Sequence, residues 1–173
     1  HMESEEDTSL EEGLQANLSV ETDGAVHGGV TTIGQFCGWK GQSLVDRVRR
    51  TIAVEDRCSR VDYFLHAFIM SEDHLKEQPQ LCRMGVTSFK HFFDAYKPRK
   101  GMELLEWLGP VDSGVLYQSF RFIGQHGYPA VGMVHAEDIE IVDVLERELR
   151  AQGRQDLLAW TEARPNFVEF VRI

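Results

Sequence analysis

At 173 residues, with 42% hydrophobic and 27% charged residues, the sequence has the composition of a folded domain with a packed core, which excludes the disordered and fibrous classes. A net charge of −10 repels phosphate backbones and anionic membrane surfaces, so neither nucleic acid nor a membrane is expected as a partner. The three cysteines, Cys37, Cys58 and Cys82, form neither a disulfide framework nor a CxxC pair, and no apolar stretch reaches the roughly 18 residues of a membrane helix; a reducing cytoplasm is the expected compartment.

His1-Met2 reads as a cloning scar, and the acidic run Glu3-Ser4-Glu5-Glu6-Asp7 is the opposite of a basic leader. Residues 1–7 are set aside, leaving 8–173 as one expected domain. Spaced apolar residues predict a helix over 9–26 with an interruption near Asp23-Gly24, stopped by Gly28-Gly29. A β-branched run predicts a strand over 30–36, and Ser43 is the expected N-cap of a helix bearing Leu44, Val45, Val48 and Ile52 on one side. A second strand is expected over 61–69, followed by a helix opening at Ser71-Glu72-Asp73-His74. Strand 86–93, helix 115–125, strand 129–136 and helix 138–152 continue the alternation, with one long loop over 97–112. Such alternation predicts parallel strands joined by crossover helices, hence an α/β layer or a sector of a barrel.

Two strands carry candidate chemistry. In Gly85-Val86-Thr87-Ser88-Phe89-Lys90-His91-Phe92-Phe93, a lysine interrupts a largely apolar run. Burial disfavours the ammonium and frees the amine for nucleophilic attack or for carbon dioxide capture as a carbamate, although a lysine at a strand end can also reach back to water. The run Met133-Val134-His135-Ala136-Glu137 ends an apolar strand on a histidine, and a neutral imidazole there suits zinc. His66 is expected to pack in the core. His27, His74, His91 and His126 have no metal-ligand spacing, and Trp160 reads as a helix-packing aromatic.

Together, the run from Gly85 to Tyr96 and the segment ending His135-Ala136-Glu137 resemble the dihydropyrimidinase and hydantoinase branch of the amidohydrolase family. Gly28-Gly29-Val30-Thr31-Thr32-Ile33 and Ala163-Arg164-Pro165 agree with that family in order and spacing. The resemblance implies a portion of a (β/α)8 TIM barrel. It further implies two divalent metal ions, zinc by default, bridged by carboxylated Lys90, with His135 as a ligand of one metal and Tyr96 as a donor to the developing oxyanion. The implied reaction is hydrolysis of C–N bonds in small cyclic amides or imides, and the implied assembly is a homo-oligomer.

Two departures qualify that expectation. The family's His-x-His pair occurs nowhere in the sequence, so Lys90 and His135 are expected to supply only part of a metal site. One residue more than the family pattern stands between Lys90 and Tyr96. The expected identity is therefore an internal portion of a longer enzyme, inactive by itself, and the competing expectation is a non-catalytic scaffold with the same fold.

Overall fold

Helix α1 (Glu5–His27) runs unbroken through Asp23-Gly24 in the computed structural model, which describes residues 5–93 and 110–170 and the side chains of 12–93 and 110–169. The expected interruption is absent because one helical glycine costs only about 1 kcal/mol. Packing outweighs it: Leu18 and Thr22 are buried, and Thr22 Oγ1 accepts from the Arg60 amide at 3.2 Å. The stop comes at Gly29, whose φ of 75° suits glycine, with the Val30 amide returning to the Ala25 carbonyl at 2.9 Å.

Strands β1 (Thr32–Cys37), β2 (Asp62–Phe68), β3 (Ser88–Phe92) and β4 (Val131–His135) alternate with α2 (Leu44–Cys58), α3 (Glu72–Arg83) and α4 (Ser113–His126). Three more helices follow: α5 (Ile139–Ala151), α6 (Leu157–Glu162) and α7 (Phe167–Phe170). Ser43 caps its helix as expected, Ser71 and Asp138 cap theirs in the same way, and Asp112, at the end of the long loop, caps α4 through the Val115 amide. Residues 97–109 of that loop lie outside the described residues.

The sheet is wholly parallel in the order β1-β2-β3-β4, as right-handed crossovers through helices require. Side chains alternate between its two faces. Leu65, Ala67 and Phe89 point toward the helices and join Leu44, Val48, Leu81, Val115 and Ile123 in the main core. Removing such side chains from water, at about 25 cal/mol per Å², is the main force holding the layers together. The other face carries Phe36, Phe64, Phe68, Lys90, Phe92, Val131 and His135, and no described element covers it; Phe36, Phe64 and Val131 remain about half exposed.

Candidate metal centre

Lys90 and His135 share the uncovered face on neighbouring strands. Register decides this: Lys90 pairs with Met133 and Phe92 with His135, so His135 stands two positions further toward the strand ends, about 7 Å along. The C-terminal edge of a parallel sheet is where β/α proteins gather reactive groups.

The surroundings of Lys90 are aromatic. Phe36, Phe68 and Phe92 stack across three strands with centroid separations of 5.0 and 5.4 Å, and the row ends against His135 at 5.5 Å. Lys90 Nζ lies 5.0 Å from the Phe92 centroid. Burial among these rings holds the Lys90 amine below the ordinary lysine range, because the ammonium is the form that loses hydration. His135 Nε2 is 2.9 Å from Glu137 Oε2, and a carboxylate on one ring nitrogen is the usual device for fixing the tautomer and orientation of a metal-binding imidazole.

His66 does not join the helix-side core. It faces the same side as Lys90, wedged between Phe36 at 5.0 Å and Phe64 at 4.8 Å, with Nδ1 2.7 Å from Ser88 Oγ. Burial, and then the charge of Lys90, lower its pKa, so the neutral ring is favoured. Gly34 makes room for this arrangement: a Cβ there would come within 2.6 Å of Phe64 Cζ and 2.9 Å of His66 Nε2.

His91, next to Lys90 in sequence, points the opposite way and is fully buried beneath α4. Its Nδ1–H donates to the Met133 carbonyl at 3.2 Å, which leaves Nε2 to accept from the Ser119 hydroxyl at 2.7 Å; Ser119 Oγ in turn accepts from Gln78 Nε2 at 2.8 Å. This chain of donors runs through α3, α4, β3 and β4. His74 is likewise buried, accepting from the Met70 amide and donating to the Gln42 carbonyl. Neither histidine belongs to the candidate centre. Sequence gave no sign of these roles, because a histidine fully satisfied in a core and one aimed at a ligand look alike without their partners.

Tyr96 lies outside the described residues. Trp160 is not a packing aromatic: it is 60% exposed, with the Arg164 guanidinium 4.2 Å over its ring. Among the described residues, no group of three or more histidine, cysteine or acidic side chains could hold a metal ion; Lys90 and His135 are two residues on one face of adjacent strands. An imidazole and an amine able to capture carbon dioxide are residue types that divalent cations accept, but two such groups fall short of a full coordination shell.

Known proteins share sequence and fold with this chain. No family model matches the chain. It is 31% identical over 152 residues to a D-hydantoinase of Geobacillus stearothermophilus, covering 86% of this chain and 30% of that protein. It is 29% identical over 155 residues to a D-hydantoinase of Ralstonia pickettii, covering 88% and 31%. A solved D-hydantoinase structure superposes with a TM-score of 0.69 at 27% identity, covering 90% of this chain and 32% of that one. An L-hydantoinase (dihydropyrimidinase) from Arthrobacter aurescens, at 23% identity and a TM-score of 0.68, shares the fold. The chain thus spans about 30% of the length of the curated relatives it matches. Its four parallel strands and their helices have the architecture of a sector of a hydantoinase-type (β/α)8 barrel.

Proposed function

We propose that this chain forms the lysine-and-histidine sector of a two-metal centre that hydrolyses C–N bonds in small cyclic amides of the hydantoin or dihydropyrimidine kind. The observation that carries the reading is the placement of Lys90 and His135 on one face of adjacent parallel strands, within a sheet that superposes on a D-hydantoinase. In this reading the chain supplies Lys90, His135 and Tyr96, and other donors complete the centre.

Burial makes it easier for the Lys90 ammonium to lose its first proton to solvent; the neutral amine then attacks carbon dioxide, an N–C bond forms as one C=O π bond becomes a carboxylate, a second proton leaves to solvent, and the side chain becomes an anionic carbamate. Two divalent cations, zinc by ligand type, would supply a carbonyl-polarising Lewis acid and a water acidic enough to yield hydroxide near neutral pH. In this reading His135, oriented by Glu137 at 2.9 Å from its Nε2, acts as a nitrogen donor. Tyr96 would donate its phenolic hydrogen to the oxygen that gains charge during attack on the amide. The aromatic row of Phe36, Phe68 and Phe92 keeps solvent from one side of this region. We place the protein in the cytoplasm; none of the described helices is long and apolar enough to cross a membrane.

One observation favours a second reading, a non-catalytic scaffold of the same fold: only two donors of the expected set come together among the described residues. Carbon-13 NMR on the chain equilibrated with labelled bicarbonate and zinc separates the two. The hydrolase reading expects a carbamate resonance that vanishes in Lys90→Arg. A wild-type spectrum without it, at saturating bicarbonate, supports the scaffold.

A further inference from the structure

The stripe of α2 that lies against the sheet contains a carboxylate. Leu44, Val48, Thr51 and Glu55 recur at helical spacing, and all four are buried, Glu55 with 1% of its surface exposed. The crossover makes α2 run antiparallel to β1, which fixes what Glu55 faces. Thr51 Oγ1 lies 3.3 Å from Cys37 Sγ. One helical turn onward is Glu55, and two residues back along the same face of β1 is Gln35; both steps are about 6 to 7 Å. Counting from the Thr51–Cys37 contact, Glu55 and Gln35 occupy opposed positions of the α2–β1 interface.

Their polar atoms do not match. Gln35 Oε1, Glu55 Oε1 and Glu55 Oε2 are all buried without a hydrogen-bond partner among the described residues. The Ser59 hydroxyl lies near the Glu55 carboxyl and favours its charged form, but it donates to the Val61 carbonyl at 2.7 Å, which leaves the three acceptors without a committed donor. An unpartnered buried acceptor costs about 1–3 kcal/mol, and an unpaired buried carboxylate costs more. One proton on the carboxyl group removes the charge and turns one of the three acceptors into a donor for another.

We propose that Glu55 is a buried proton-binding site: its carboxyl group is neutral at physiological pH and donates to Gln35 Oε1, tying α2 to β1 by a bond that exists only while the proton is present. The surrounding charges favour this state. β1 carries no ionisable group besides Cys37, whose thiol burial also keeps protonated. On α2 itself the next residue is Asp56, an added negative charge that accepts from the Tyr63 hydroxyl of β2 at 2.6 Å. The last turns of α1, which packs on α2, bring Glu21, Asp23 and His27, and Arg60 is paired with Asp23 at 3.8 Å.

The sign of the linkage is fixed. A carboxyl group that binds its proton more tightly when folded contributes stability present below the ordinary glutamate range and lost as pH rises through its folded pKa. The test is urea denaturation of the whole chain from pH 5 to pH 8, wild type against Glu55→Gln, a neutral side chain of the same shape. The expected result is equal midpoints at pH 5 and a higher midpoint for the variant at pH 8. A variant weaker by the same amount at every pH overturns the proposal. Carbon-13 titration of the Glu55 carboxyl group in the wild type serves as the second measurement: a midpoint above pH 6 supports the proposal, and one in the ordinary glutamate range overturns it.

Discussion

Protonating His91 would set a charge against the Met133 carbonyl and the Ser119 hydroxyl in a site closed to solvent, and burial holds its pKa down to about 4. A histidine whose folded pKa is depressed contributes stability that is present above the unfolded value near 6.5 and lost as pH falls toward the folded one. A separation of that size corresponds to a loss on the order of 3 kcal/mol between pH 6.5 and pH 4. We expect the urea midpoint to fall across that window, and His91→Phe, less stable at neutral pH, to flatten the slope; an unchanged slope in the variant would exclude His91 as its source. Glycine sites make a sharper steric prediction. A Cβ at position 132 would come within 2.6 Å of the Phe120 ring of α4, so Gly132→Ala should cost about 1–3 kcal/mol by thermal denaturation. At the candidate centre, His135→Ala should lower bound zinc without changing the circular dichroism spectrum, and full retention of zinc would make His135 a packing residue.

The first turn of α2 depends on a residue from another helix. Glu77 of α3 accepts from the Leu44 amide at 2.5 Å and the Val45 amide at 3.1 Å, and Ser43 donates its hydroxyl to the same carboxylate at 2.8 Å. Its charge also sits at the positive end of the α2 dipole. Glu77→Ala should therefore cost about 1–2 kcal/mol, more than loss of an exposed carboxylate, and should speed amide exchange at Leu44 and Val45; unaltered exchange there would refute the cap. Ser43 was legible as a cap because its signal is local, whereas Glu77 lies 34 residues away and nothing near it announces the partnership. The same distinction explains what else could be read. Four strands and their crossover helices follow from periodicity and capping, and Lys90 and His135 from their strand contexts. The continuity of α1 was hidden because long-range packing of Leu18 and Thr22 decides it. His66 fell on the open face, although its alternation with Leu65 and Ala67 carried that information. Trp160 sits outside the core because its ring is covered by Arg164, a neighbour four residues on along a short segment.

For the molecule as a whole, the open face of the sheet is the dominant physical fact. Phe36, Phe64 and Val131 stand half exposed, and the two edge strands, β1 and β4, carry no Asp, Glu, Lys or Arg that would guard their unpaired amides and carbonyls. The chain in isolation should therefore self-associate, in keeping with the homo-oligomer that the family resemblance implies, and Phe64→Ser should shift sedimentation toward smaller species; a wild type that stays monomeric at every concentration would show that this face tolerates water. The donor chain through Gln78, Ser119 and His91 ends on one backbone carbonyl, that of Met133, and this has a consequence for assembly of the sheet. A one-residue slip of β4 would take that carbonyl away and turn His135 to the opposite face of the sheet. The buried imidazole thus acts as a gauge of alignment, admitting the pairing that sets His135 and Lys90 on a common surface and penalising its nearest competitor before any ligand has bound.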